Sequence, residues 1–258
     1  MNKILRTLIY CSLILFTIQT EANDETPVVA VAANFSSAFT DIVNEFTLST
    51  GRKVKVSVGS SGALVRQIEL GAPFELFLSA DEEYVEELYK RGLSLDKGRN
   101  YATGKLVLFI SNSSHMDKNL NIQDILRHVV SDDTYRIAIA NPDLAPYGRA
   151  ARQVLNRFTN IHMLNKRIIP GENVGQTAQF VLTGSVDIAF LPYSLAISRQ
   201  LQDAGYYELI PVDWYKPIHQ RMALLKNAGE TAQALYKYMS SENAQQIILQ
   251  YGYSLPLN

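Results

Sequence analysis

Residues 53–70, KVKVSVGSSGALVRQIEL, contain a strand, a tight turn and a helix in succession. The first six residues alternate lysine or serine with valine, which predicts a β-strand with one buried face. Leu64, Val65 and Ile68 then recur at helical spacing, and a glycine and a proline just after this stretch predict the end of the helix. A strand that turns directly into a helix is the repeating unit of α/β proteins.

The same unit recurs on both sides of this stretch. Further strands are predicted at residues 27–33, 75–79, 105–110, 136–140, 186–191 and 222–225, with helices near 39–50, 81–91, 122–129, 149–158, 173–182, 229–239 and 241–251. Repeated strand-helix units imply parallel sheets covered by helices. The length favours two α/β lobes, for which we predict residues 23–103 plus 220–258 as lobe one and residues 104–219 as lobe two.

The first 22 residues have the layout of a secretory signal peptide. Lys3 and Arg6 precede a short apolar run at residues 8–16, and Thr20 and Ala22 are the small residues before the predicted cleavage point. An uncleaved anchor is the alternative, but the run is well short of the ~20 residues that a spanning helix needs. Cys11, the only cysteine, lies inside this segment, so the exported chain would have no disulfide.

The charge of the chain is nearly balanced. The full chain has 24 basic and 25 acidic residues, and without residues 1–22 it has 22 basic and 24 acidic residues. No basic block indicates nucleic acid as a partner. A slightly negative protein that binds an anion must therefore use local dipoles rather than its overall field.

Four polar loops, each rich in small residues, stand before predicted helices. They are residues 33–37 (ANFSS), 59–62 (GSSG), 141–148 (NPDLAPYG) and 170–175 (PGENVG). Ligands of α/β sheets bind where strands end and helices begin, and an anion there satisfies the free N–H groups of the first helical turn. Any one such loop is also an ordinary helix cap. Four of them together predict an anion-binding cleft.

The loops offer many donors but only two carboxylates, those of Asp143 and Glu172. Phosphate carries a proton over much of the neutral range and needs an acceptor for it, whereas a fully ionised oxyanion needs donors only. The composition of the loops therefore favours a fully ionised oxyanion over phosphate.

Taken together, these segments resemble the periplasmic molybdate-binding proteins of ABC importers, over nearly all of the exported chain. The resemblance implies the type II periplasmic-binding-protein fold, with the ligand in the cleft between two lobes. The segments that carry it are residues 31–35, 59–68, 71–77, 79–81, 104–108, 141–142, 145–148, 171–174 and 251–253.

The resemblance implies one ligand-binding position in each loop: Asn34, Ser61, the main-chain amide of Tyr147 and the main-chain amide of Val174. Ala33, Ser60 and Tyr193 are further candidates. Many members of the family use a tyrosine after the late strand, but here Tyr193 stands one place off register. Molybdenum would be held only within the oxyanion, with no cofactor.

The function that the resemblance implies is capture of molybdate, and of tungstate, in the periplasm by a monomer. Closure of the lobes would complete the donor shell, and delivery to an inner-membrane ABC permease would follow. Sulfate and ferric ion remain alternative ligands, the latter because of the pair Tyr206-Tyr207. A hydrolytic enzyme is a remote alternative, since the chain has no Gly-x-Ser-x-Gly or His-Glu-x-x-His motif.

Overall fold

A computed structural model describes residues 26–256 of the chain. The predicted signal peptide and Cys11 lie outside the described residues. Within residues 26–256, no helix is both long enough and apolar enough to cross a membrane.

The described residues form ten strands and ten α-helices. The strands are β1 (Val28–Ala32), β2 (Lys55–Gly59), β3 (Phe74–Leu78), β4 (Arg99–Gly104), β5 (Leu106–Ser111), β6 (Ile137–Ala140), β7 (Ile168–Gly171), β8 (Ile188–Pro192), β9 (Gly205–Leu209) and β10 (Ile218–Leu224). The helices are α1 (Ser36–Thr50), α2 (Ser61–Glu69), α3 (Glu83–Lys90), α4 (Ile122–Ser131), α5 (Pro146–Asn156), α6 (Val174–Leu182), α7 (Tyr193–Ala196), α8 (Arg199–Gln202), α9 (Glu230–Tyr238) and α10 (Glu242–Gln250).

The strands form two sheets, which confirms the predicted two-lobed α/β architecture. The first sheet has the order β2-β1-β3-β10-β4 and the second has the order β7-β6-β8-β5-β9. Gly104 ends β4 in the first sheet and Leu106 begins β5 in the second, and the chain returns to the first sheet through β10. The borders of the two lobes stay a prediction.

The expectation of parallel sheets is only partly right. β1 is parallel to β2 and β3, but β10 is antiparallel to β3 and β4, and β5 is antiparallel to β8 and β9. The strands β4, β5 and β10 carry the chain between the lobes. β5 follows β4 directly, and β10 follows β9 after only a short 3-10 helix, Val212–Trp214. Each of these two strands therefore enters its sheet from the other lobe without the crossover helix that a parallel connection requires.

The predicted amphipathic helices pack as their periodicity indicates. In α1, Phe39, Ile42 and Phe46 are fully buried against the first sheet. Leu64, Val65 and Ile68 of α2 are buried on the sheet's other face. These helices fix the position of the loops before them, because each helix is held along its length by its apolar face.

Candidate functional site

The first turns of four helices meet in a small cavity between the lobes. The space in it, counted together with the open solvent at its mouth, is about 200 Å³. The lining residues come from the ends of β1 and β3 and from the starts of α2, α5 and α6: Ala32, Ala33, Asn34, Ser60, Ser61, Ala80, Ala145, Pro146, Tyr147, Asn173 and Val174. A short 3-10 helix, Ala33–Phe35, leads from β1 into α1. The structure thus brings six of the seven residues predicted from the sequence to one place.

Each of the four principal residues presents a main-chain N–H in the first turn of a helix. The amides of Asn34, Ser61, Tyr147 and Val174 have no acceptor within their own helices, as is general for first-turn amides. No other described residue accepts a hydrogen bond from them. Four unsatisfied donors from four helices therefore surround the same cavity, at the positive ends of the helix dipoles.

The serine pair at the start of α2 does not act as an ordinary cap. Ser60 occupies the N-cap position, but its hydroxyl makes no capping bond. The Ser61 oxygen accepts from the Ala80 N–H at 3.0 Å, and among the described residues its hydroxyl hydrogen has no acceptor. The bond from Ala80 therefore orients the Ser61 hydroxyl, and the hydroxyl hydrogen is free to be donated.

In the other lobe, two different local arrangements leave the amides of Tyr147 and Val174 free. Ala145 is the N-cap of α5 and has no capping side chain, and Pro146 at the next position has no N–H to satisfy. In α6 the side chain of Asn173 caps the amides of Gly175 and Gln176, at 2.9 and 3.1 Å. The amide of Val174, one position earlier, is left free.

No charged side chain lines the cavity. Asp143 and Glu172, the two carboxylates of the loops, are exposed and lie outside the lining. The cavity thus offers hydrogen-bond donors without a fixed negative charge, as the composition of the loops predicts. Its chemistry suits an anion that carries no proton.

The Asn34 side chain points away from the ligand position that the sequence suggested for it. Its Nδ2 donates to Gln220 Oε1 at 2.9 Å and to the Tyr253 hydroxyl at 3.1 Å. Both amide hydrogens are thereby used inside the lobe. Asn34 can still contribute its main-chain N–H to the cavity, so the side chain acts as an anchor for that amide.

Three buried tyrosines stand behind the cavity. Burial raises the pKa of the Tyr101, Tyr147 and Tyr253 hydroxyls above the usual value of about 10. Each hydroxyl therefore stays neutral at physiological pH. The sequence did not reveal Tyr101, Tyr253 or Gln220, because they are distant in the chain and β10 was predicted to begin only at residue 222.

Two contacts bridge the cleft between the lobes. The Gly62 N–H donates to Leu144 O at 2.9 Å across the cleft. Arg149 of α5 pairs with Asp81 in the other lobe. Burial raises the pKa of the Asp81 carboxyl, and the neighbouring Arg149 opposes that shift. In this form the donors of both lobes face one volume.

Tyr193 does not line the cavity. Its ring packs against Tyr207, with ring centroids 5.5 Å apart. The next residue, Ser194, instead donates its hydroxyl to the main-chain oxygen of Asn34 at 3.1 Å. The shift of one position noted in the sequence thus places a serine, not a tyrosine, next to the network behind the cavity.

The features considered for other functions lie elsewhere. His115, His128, His162 and His219 are all exposed. Tyr206 and Tyr207 lie on β9, an edge strand, where neighbouring side chains point to opposite faces. Within residues 26–256 no group of three His, Cys, Asp or Glu side chains could hold a metal ion.

Comparisons with known proteins identify the family of the chain. A family profile of bacterial extracellular solute-binding proteins matches residues 27–254. The molybdate-binding protein ModA of Azotobacter vinelandii is 36% identical over 232 residues, covering 88% of this chain and 89% of the relative. The molybdate-binding protein ModA of Rhodobacter capsulatus is 34% identical over 229 residues, covering 88% of this chain and 87% of the relative. The solved Azotobacter vinelandii periplasmic molybdate-binding protein superposes with a TM-score of 0.79 at 33% identity, covering 90% of this chain and 100% of that one.

Proposed function

Because the chain belongs to the bacterial extracellular solute-binding proteins, and among them to the periplasmic molybdate-binding proteins of ABC transporters, we propose that it captures molybdate in the cavity between its lobes. Tungstate is a second proposed ligand, because it is also a fully ionised tetrahedral dianion. The relatives are binding proteins rather than enzymes.

The observation that carries this proposal is the set of four free helix-start amides around a cavity without charged side chains. Burying a dianion is very costly unless donors surround it. A hydrogen bond to a charged group contributes about 1.5–3 kcal/mol, so several of them together offset the loss of hydration. The helix dipoles add to this in the same direction.

We assign the donors as follows. Asn34, Ser61, Tyr147 and Val174 give their main-chain amides, and Ser61 also gives its hydroxyl. Ala33 and Ser60 complete the lining. Tyr193 is left out, since its ring packs on Tyr207.

The setting of this activity is also proposed. Export by residues 1–22 would place a monomer in the periplasm, and closure of lobe one (residues 23–103 plus 220–258) on lobe two (residues 104–219) would trap the anion. The closed form would then be recognised by an inner-membrane ABC permease. Membership in a family of ABC-transporter binding proteins supports this order of events. We propose no nucleic-acid partner, since the sequence contains no basic block.

Calorimetry of the purified protein tests the proposal. Molybdate, tungstate, sulfate, phosphate and ferric ion are titrated separately. We expect saturable, tight binding of molybdate and tungstate. Tight binding of sulfate or ferric ion without binding of molybdate would overturn the assignment.

Ser61→Ala is expected to weaken molybdate binding by about 1.5–3 kcal/mol, the range of a hydrogen bond to a charged group. This corresponds to a Kd about 10- to 150-fold higher. Calorimetry measures the change. Ser49→Ala is the control, since Ser49 is exposed on α1 and bonds only Phe46 O. Unchanged affinity in Ser61→Ala would remove Ser61 from the site.

Molybdate affinity is expected to stay constant between about pH 6.5 and about pH 9. The donors of the cavity are amides and hydroxyls, and the raised pKa values of Tyr101 and Tyr147 keep both phenols neutral over this range. Phosphate, if it binds at all, should bind better as pH rises, because its proton has no acceptor in the cavity. Titrations at several pH values measure both trends, and a steep change for molybdate would contradict a donor-only site.

A further inference from the structure

Gln220 is a polar residue in an otherwise buried position of β10. Its side chain is 0% exposed, whereas His219 and Arg221 on either side of it reach solvent. A buried primary amide has two hydrogens and an oxygen that each need a partner. The partners of Gln220 therefore indicate what holds it there.

Those partners belong to the candidate site. Gln220 Oε1 accepts from Asn34 Nδ2 at 2.9 Å and from the Tyr101 hydroxyl at 2.8 Å. Gln220 Nε2 donates to the Tyr147 hydroxyl at 3.2 Å. One side chain thus binds two of the four residues whose main-chain amides face the anion cavity.

The bond from Gln220 to Tyr147 crosses between the lobes. Gln220 and Asn34 lie in the lobe of the first sheet, whereas Tyr147 begins α5 on the second sheet. Gly104 leaves room for this approach, because a Cβ at that position would lie 1.9 Å from the Tyr147 hydroxyl and 2.9 Å from Gln220 Nε2. Separation of the lobes at this level breaks the bond.

We propose that Gln220 is a positioning residue that joins the anion-binding amides of Asn34 and Tyr147 when the lobes close. Oε1 fixes the Asn34 side chain, which leaves that residue only its main-chain N–H for the cavity. Nε2 fixes the Tyr147 ring from the other lobe. This inference rests on the proposed capture of an oxyanion, and it adds a link between closure and assembly of the donor shell.

A double-mutant cycle tests the link. Gln220→Met keeps the size of the side chain and removes its hydrogen bonds, and Tyr147→Phe removes only the hydroxyl that Gln220 binds. We expect molybdate Kd to rise about 3- to 10-fold in Tyr147→Phe and about 5- to 20-fold in Gln220→Met, mainly through faster dissociation. The double variant should bind no worse than Gln220→Met, because Gln220→Met already breaks the one bond that Tyr147→Phe removes.

The proposal would be overturned if the rise in Kd in the double variant equalled the product of the rises in the two single variants. It would also be overturned if either single variant bound molybdate as tightly as wild type. Gln233→Met is the matched control, since Gln233 is exposed on α9 and bonds Ala228 O. Melting temperatures without ligand report any loss of folding. If Gln220→Met does not fold, Tyr147→Phe alone tests the link between Gln220 and Tyr147. A wild-type affinity and a wild-type dissociation rate in Tyr147→Phe would exclude that link.

A second measurement does not depend on the ligand. Spin labels at Leu48→Cys and Met163→Cys, positions 81% and 78% exposed, report the distance between the lobes in a Cys11→Ser background. We expect Gln220→Met to shift the ligand-free protein towards longer distances, and unchanged distances would overturn the proposal. Wild-type protein that binds no oxyanion would instead reject the proposed function, while the label distances would still decide the role of Gln220.

Discussion

Gly62→Ala is expected to raise the Kd for molybdate by about 100-fold or more without destabilising the first lobe. Gly62 lies in the first turn of α2, and its N–H donates to Leu144 O in the other lobe at 2.9 Å. A Cβ there would lie 2.5 Å from the Tyr84 hydroxyl and 3.0 Å from Leu144 Cα. The Leu144 backbone would have to retreat by a few tenths of an ångström. The Tyr84 hydroxyl would also have to leave its contacts with Asp143 O and Arg149 of the other lobe, so the lobes would no longer close fully.

The size of this effect follows from what closure contributes. Lobes that are held apart remove the amides of Tyr147 and Val174 from the anion, and each hydrogen bond to a charged group contributes about 1.5–3 kcal/mol. Two such bonds together correspond to at least about 100-fold in affinity. Alanine is also a better helix former than glycine by about 1 kcal/mol. The ligand-free melting temperature should therefore not fall.

Gly175→Ala is the matched control for Gly62→Ala. Gly175 occupies the same position in the first turn of α6, and a Cβ there would meet only Asn173 Oδ1, at 3.0 Å. Molybdate affinity in this variant should stay within about threefold of wild type. Calorimetry and thermal melting compare the two variants. Wild-type affinity in Gly62→Ala would show that the closed contact does not govern binding.

The parts of the site that the sequence predicts are those with a local cause. A polar turn before an amphipathic helix leaves free amides whatever the rest of the chain does, and this is why the loops at residues 59–62 and 170–175 were predicted as donors. The resemblance to a known family, not the local pattern, singled out Ser61 and Val174 within them. The same holds for the fold, since α1 and α2 bury the faces that their periodicity indicates. The two lobes were predicted from the length of the chain and from the recurrence of the strand-helix unit.

The parts that the sequence does not predict depend on distant contacts. Gln220 lies 186 residues from Asn34 and 73 residues from Tyr147 along the chain, and nothing near it marks it as a partner of either. The direction of the Asn34 side chain is not predicted for the same reason, because its partners Gln220 and Tyr253 lie far away in the chain. β4, β7 and β9 were missed because all three are edge strands without clear alternation.

Ser61→Asp is expected to abolish molybdate binding, with a loss of more than about 1,000-fold. Ser61 is 1% exposed and is the first residue of α2. Two unit charges about 4 Å apart repel by about 4 kcal/mol at an effective dielectric constant of 20, and a dianion doubles that figure. The fold should tolerate the change, because a carboxylate in the first turn of a helix interacts favourably with the dipole.

Ser61→Asn separates charge from size in this experiment. Asparagine has nearly the shape of aspartate but no charge, so its loss of affinity should be close to that of Ser61→Ala. Thermal melting with and without molybdate measures the difference: a ligand that binds only the folded state raises the melting temperature, and Ser61→Asp alone should show no rise. If Ser61→Asp binds within tenfold of Ser61→Asn, the anion does not lie beside Ser61. The donors of α2 would then serve only to satisfy the helix, and the anion would have to be held by the remaining three helix starts.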